Sequence, residues 1–399
     1  MNLKTYATLM FRSGRVPKKA ASGAGATWTG VPVTLAATAL IAVAFALAPV
    51  AAARASQSTP PTDGSTTVAR ARVAADVLMA SYDPDKAWFP SSWWNSAVAL
   101  NTVIDYLRKS GSTRYTWVVN QTYTVNRVAF PAGVRSTDTV EGHFISRATD
   151  DAEWWGLAWI AAYDLTHDTK YLNEAVTIAN YVNTQWDTST CGGGVWWSRE
   201  HTYKNAITNG LYIRLTAALH NRISGDTGWL SRATTAWNWF AASGMINSAN
   251  LVNDGLTGGC GNNGQTVWSY NQGLAIGGAL ELWKATGNSA LLTRARQLAD
   301  AGTTAPQLVQ GGILTEACDS PSASCDDNAK QFKGIFIRYL GELSSATGGA
   351  YGGFITTQAN SVWNADRDSL NRLGARWSGQ SPNVRDWRTQ ASALSALIA

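Results

Sequence analysis

The stretch DDAEWWGLAWIAAYDLTHDTKYL, residues 150–172, reads as a helix, a sharp stop and a second helix. Trp154, Leu157, Ala158 and Ala161 fall at i, i+3, i+4 and i+7, the spacing of one helical face rather than of a strand. His167 stands where a helix ends in left-handed backbone, and Asp168 follows with a carboxylate able to accept from the free N–H groups of the next helix. The same punctuation recurs at Gly111-Ser112, Gly225-Asp226, Gly287-Asn288 and Gly348-Gly349, giving intervals of 56, 58, 62 and 61 residues from the first turn to the last. Tyr115, Tyr171, Trp229, Leu291 and Tyr351 each open the segment that follows a turn. Two copies are imperfect: His167 replaces the glycine in the second, and the fifth has no capping side chain.

Five such joints imply ten helices, and helical stretches at about 67–82 and 384–398 add one at each end of this region. Helical pairs at a fixed period stack as an open solenoid or close into a ring. The two terminal segments can pack on each other as a sixth pair, so the expected fold is all-α, an (α/α)6 barrel of six helical hairpins. Its long loops then gather on one rim, where a cleft forms.

Upstream lies a different kind of sequence. Residues 1–55 hold Lys4, Arg12, Arg15, Lys18, Lys19 and Arg54 and no acid, so they carry more positive charge than the whole chain's net +5. The remainder is close to neutral, which argues against a nucleic-acid partner. After the basic stretch comes an apolar run from Val31 to Ala53, then small residues around Arg54. This is the layout of a secretory signal cleaved near Ala53 or Ala55, or of an uncleaved membrane anchor, followed by a Ser/Thr/Pro-rich linker at 56–66. Either way residues 67–399 are expected to form one exported folded domain, secreted in the first case and tethered to the cell surface in the second.

Composition agrees with an exported protein that handles polar ligands: only 15% of residues are charged, and there are 19 tryptophans, many of them expected in the core. The four cysteines, Cys191, Cys260, Cys318 and Cys325, make an even count in an oxidising compartment and imply two disulfides. Of three possible connectivities, Cys318 with Cys325 closes the shortest loop and leaves Cys191 for Cys260. No C-x-x-C spacing occurs and the four histidines form no ligand cluster, so neither a metal nor a cofactor is expected. Gly259-Cys260-Gly261-Asn262-Asn263-Gly264 matches G-x-G-x-x-G only literally, because no strand precedes it.

The strongest chemical candidate is the pair Asp150 and Asp151, set before an aromatic-rich helix. Two acids there serve equally well as first-turn charges on a helix dipole, and the residues alone leave both readings open. The functional reading is glycoside hydrolysis, which needs two carboxyls, about 5 to 5.5 Å apart in a retaining enzyme, a spacing that adjacent residues at a turn can reach. One acid must then stay protonated beside its neighbour's charge and under apolar cover such as Trp154 or Trp155. Other rim segments able to bind a polar ligand are Cys191 to Trp197, Val252 to Gly255 and Ser269 to Gly273.

Taken together, DDAEWWGLAW, WWNSAVALNTVIDY (93–106), CGGGVWW (191–197), KNAITNGLYIRL (204–215), SYNQGLAIGGALEL (269–282) and QFKGIFIRYL (331–340) resemble glycoside hydrolase family 76, the endo-α-1,6-mannanases. The resemblance runs over about residues 68–398. It implies an (α/α)6 barrel and metal-free, retaining hydrolysis of an α-mannan or another mannose-containing glycan, with Asp150 as nucleophile and Asp151 as acid/base. Asp254 and Tyr270 fall in segments similar to mannose-contacting ones, and Trp154, Trp197 and Asn271 complete the expected substrate-binding set. Where the family often shows Gln after the acid pair, this chain has Ala152-Glu153. A monomer is expected. Two further readings are a cell-surface mannan transglycosylase using the same covalent intermediate and an inactive mannan-binding protein.

Overall fold

The stops read from the sequence are turns of the predicted kind. In a computed structural model, which describes residues 67–399 apart from 321, 323 and 324, Gly225 and Gly287 adopt left-handed backbone with φ of 75° and 68°, and His167 does so at 57°. Asp168 and Asn288 then accept from the amides of Lys170 and Ala290, each at 3.0 Å, and Asp226 accepts from Trp229 at 3.1 Å. The leader and linker lie outside the described residues. No described helix is long and apolar enough to cross a membrane.

Twelve α-helices follow in chain order: α1 Thr67–Met79, α2 Trp93–Ser110, α3 Thr116–Asn126, α4 Thr149–Thr166, α5 Thr169–Asn183, α6 Ala206–His220, α7 Gly228–Ala242, α8 Ser269–Thr286, α9 Ser289–Thr304, α10 Phe332–Ala346, α11 Gly352–Ser361 and α12 Trp387–Ile398. The even-numbered helices pack in a closed circuit, α2 on α4 and so on through α12, which returns to α2. The odd-numbered helices lie outside them, and α1 packs on α12 as the sixth pair. The fold is the expected (α/α)6 toroid. Two short antiparallel hairpins, 129–130 with 140–141 and 309–310 with 313–314, decorate the loops.

Inner helices are buried almost all round and outer ones on one face, as a two-layer ring demands. Much of the tryptophan is core: Trp93, Trp155 and Trp159 pack with Phe144 and Tyr171 in one continuous aromatic stack behind α4. Each such pair adds about 0.5–1.5 kcal/mol beyond the area it buries, which fixes the start of α4 against α2.

Every tight turn joins an inner helix to the following outer one, so all the long connections lead into inner-helix N-termini and share one rim. Six parallel inner helices therefore aim the positive ends of their dipoles at that rim. The opposite end is closed by buried ion pairs: Arg214 with Glu281 (3.1 Å) and Glu342 (2.7 Å), Arg222 with Asp164 (2.6 Å) and Arg338 with Asp105 (2.7 Å). Among them lies a small axial cavity of about 40 Å³. Cys191 is bonded to Cys260 and Cys318 to Cys325, both within the rim loops.

Candidate active site

Helix α4 begins at the rim because a loop holds its first turn. Ala148 is extended, with ψ of 120°, and pairs with Ser198, while the Thr149 amide donates to the Trp197 carbonyl at 2.8 Å. Asp150 and Asp151 follow in the first turn, both half-buried. Asp150 accepts twice: from the Trp197 indole Nε1 at 3.1 Å on Oδ2 and from the Asp151 amide at 3.0 Å on Oδ1.

The two acids differ in their surroundings. Burial pushes Asp150 up to about 7, partly offset by its two donors. Asp151 is driven well above the carboxylate range, first by burial, then by the charge of Asp150 and that of Asp138. Arg147 pulls both acids down and is itself anchored to Asp138 (3.1 Å) and Glu200 (2.7 Å). Asp150 is thus the readier of the two to ionise, and Asp151 the readier to keep its proton.

Asp254, in the connection before α8, stands at the start of the neighbouring α6, its carbonyl accepting from the Ala206 amide at 2.8 Å. Its carboxylate accepts from the Tyr203 hydroxyl, which in turn accepts from Asn263 at 2.9 Å. Gly255 permits this, since a Cβ there would meet the Tyr203 oxygen at 2.4 Å. Tyr270, half-buried, stacks on Phe332 with ring centroids 3.7 Å apart, and the charges of Asp254 and Asp150 help burial keep its phenol neutral. Beneath it, Ser269 donates to Glu316, a buried acid raised to about 8 chiefly by desolvation.

Asp150, Asp151, Trp197, Asp254 and Tyr270 all lie on the loop-rich rim. Trp154 does not reach the surface: it is 3% exposed and stacks at 5.6 Å behind Trp94, whose ring is the one left partly open. The face of α4 that carries Trp154 packs on α2, so this residue is corrected from ligand surface to support. Asn271 is likewise 1% exposed, on the first turn of α8, with neither amide atom hydrogen-bonded. Trp94, Tyr203 and Glu316 were not singled out from the sequence. Trp94 stood in the quoted motif beside a core tryptophan with nothing local to separate the two, and Tyr203 and Glu316 carry no motif at all.

The family description "Glycosyl hydrolase family 76" matches residues 66–399. The chain belongs to this family. Among curated family 76 relatives, a mannan endo-1,6-alpha-mannosidase of Candida albicans is 27% identical over 272 residues, covering 64% of this chain and 59% of that protein. A putative mannan endo-1,6-alpha-mannosidase of Schizosaccharomyces pombe is 26% identical over 324 residues, 72% of each. The match to the Candida albicans protein thus spans about three fifths of its length. Of solved structures, a Salegentibacter alpha-1,6-mannanase variant, inactive with two adjacent aspartates replaced by alanine and in complex with alpha-1,6-mannotetrose, superposes with a TM-score of 0.70 at 21% identity, covering 84% of this chain and 98% of that one. Dfg5 of Chaetomium thermophilum with glucosamine gives a TM-score of 0.70 at 19% identity, over 83% and 89% of the chains. The toroid is the fold that these solved structures share with this chain.

Proposed function

We propose that this protein is an exported, retaining endo-α-1,6-mannanase in which Asp150 attacks and Asp151 donates the proton. The observation that carries the reading is the unequal environment of two adjacent acids at the mouth of the ring. Asp150, held by two donors, is the carboxylate, and Asp151, with no donor among the described residues and a charged neighbour, is the acid. The names of the curated relatives supply the substrate class, and the Salegentibacter mannanase, inactive without two adjacent aspartates, supports the assignment of the pair.

In the first step the Asp150 carboxylate attacks the anomeric carbon as Asp151 protonates the departing glycosidic oxygen, giving a mannosyl ester and a shortened chain. Esterification removes the charge of Asp150, one of the causes that hold Asp151 protonated, and its proton affinity falls. Asp151 then takes a proton from water, which attacks the same carbon and frees Asp150. Trp94, Trp197 and Tyr270 offer aromatic faces to the sugar rings, and Asp254 a carboxylate to their hydroxyls. Because ion pairs close the far end of the ring, the glycan lies across the rim rather than threading the axis. In this reading the leader is cleaved near Ala53 or Ala55 and the enzyme is secreted.

Sizing the products from linear α-1,6-mannan tests the proposal. Wild-type protein releases short mannose oligomers, and Asp150→Asn and Asp151→Asn release none while keeping their helical circular dichroism. Near-normal turnover by either variant refutes the assignment, and products longer than the substrate indicate glycan transfer instead of hydrolysis.

A further inference from the structure

Apart from indole and guanidinium nitrogens, every buried side-chain polar atom without a partner among the described residues sits near the start of three consecutive inner helices. These atoms are the Thr149 hydroxyl and both oxygens of Glu153 on α4, the Thr208 hydroxyl on α6, and the amide of Asn271 on α8. Burying such groups is unfavourable, and an apolar side chain would serve packing better at each position. Two of these residues, Thr149 and Glu153, flank Asp150 on α4 itself, which points to a polar niche beneath that carboxylate.

Glu153 is the most demanding of the set, being wholly buried. Leu157, Ile160, Ala161 and Asp164 line the axial cavity, so α4 turns that stripe toward the ring centre. Glu153 and Asp150 lie four and seven residues before Leu157 and continue the stripe, placing Glu153 one turn below Asp150. Gly156 lies against Leu215 of α6, and Thr149 and Thr208, each seven residues earlier on its own helix, carry that seam up to the rim.

We propose that Glu153 is a positioning residue for Asp150: protonated, it donates through one buried water to the Asp150 carboxylate and keeps that group ionised and aimed along the axis. This rests on Asp150 being the nucleophile. The surroundings fit a neutral Glu153, since burial and the charge of Asp150 both oppose its ionisation. The titratable groups facing it from packed elements are Tyr181 on α5 and Tyr212 on α6. Both phenols donate elsewhere, to the Ser146 carbonyl at 2.7 Å and to Asn183 at 2.6 Å. Glu153 forms no ion pair among the described residues. A single turn separates Glu153 from Asp150 and no direct bond joins them, a separation that one bridging water spans.

The test is the pH profile of kcat/KM for wild type, Glu153→Gln and Glu153→Met, with Asp150→Asn as control. The Gln amide can still donate, so its acidic limb stays within about a third of a unit of wild type. Met cannot donate; the Asp150 pKa rises, the acidic limb moves up by about one unit, and kcat/KM below the limb drops about tenfold. Met also fills the niche without a polar atom, so its Tm equals or exceeds that of wild type. A Met variant with the wild-type limb, or a Gln variant displaced as far as Met, overturns the proposal. Turnover by Asp150→Asn overturns the nucleophile assignment instead, whatever the Glu153 variants do.

Discussion

Trp197→Phe removes one donor from Asp150 and keeps an aromatic ring at the rim. The lost contact is the Nε1 bond to Oδ2 at 3.1 Å, while the Asp151 amide still donates to Oδ1 at 3.0 Å. Hydrogen bonds to charged groups contribute about 1.5–3 kcal/mol. Both partners are half-buried, which favours the low end, and about 1.4 kcal/mol corresponds to one pKa unit. Asp150 must be ionised to attack, so the rate climbs with pH through its pKa, which burial places at about 7. Loss of a donor to the charged form raises that value, and the acidic limb of kcat/KM shifts up by about one unit, with about tenfold slower turnover below it. The alkaline limb, set by loss of the Asp151 proton, moves less. Because the acids are coupled, both limbs belong to the pair. Initial rates on linear α-1,6-mannan across the pH range measure this, with near-ultraviolet circular dichroism as the check on folding. A limb that stays in place while the plateau falls shows that Trp197 serves only the substrate and refutes the electrostatic reasoning.

Three more outcomes follow from the same contacts. Arg214→Met strands the buried Glu281, which keeps Arg222 and Lys284, and lowers unfolding free energy in urea by about 3 kcal/mol, the low end for a broken buried pair. Replacing Cys191 and Cys260 by Ser opens a loop of 69 residues and costs about 4 kcal/mol, against about 2 kcal/mol for Cys318 and Cys325, which close only 7. Asp150→Asn stabilises the fold at neutral pH. The folded-state pKa of Asp150 lies above its unfolded value, so its contribution is full in acid and is lost as pH rises from about 4 to about 7. The Asn variant escapes that loss and gains on the order of 2 kcal/mol at pH 7, with little gain at pH 4, by denaturant titration.

The ring was legible because its punctuation is local. A left-handed stop and a capping side chain need only two residues, so Gly225-Asp226 and Gly287-Asn288 announce themselves, and the period they set leaves the terminal helices to close the circle. Where the signal was weaker the boundary moved: Ser112 holds the Arg114 amide at 3.2 Å rather than a helix start, and α3 begins only at Thr116. The acid pair was legible as a pair, yet its asymmetry was not, since it depends on Arg147 and Asp138 from the connection before α4 and on Trp197 from the connection before α6. Trp154 and Trp94 show the same limit. Each stands in an aromatic doublet on an inner helix, and only the rotation of α4 against α2 decides which ring is covered. Tyr203 and Glu316 become neighbours of Asp254 and Ser269 through loop folding alone, which no helical periodicity encodes.

A trapping experiment addresses the covalent step itself. Asp151→Ala protein given an α-1,6-mannobiosyl fluoride, whose leaving group needs no acid, should accumulate an ester that mass spectrometry of peptic fragments assigns to Asp150. An adduct on a different side chain, or no adduct together with a first-formed product of inverted anomeric configuration from the wild-type enzyme, would contradict the account.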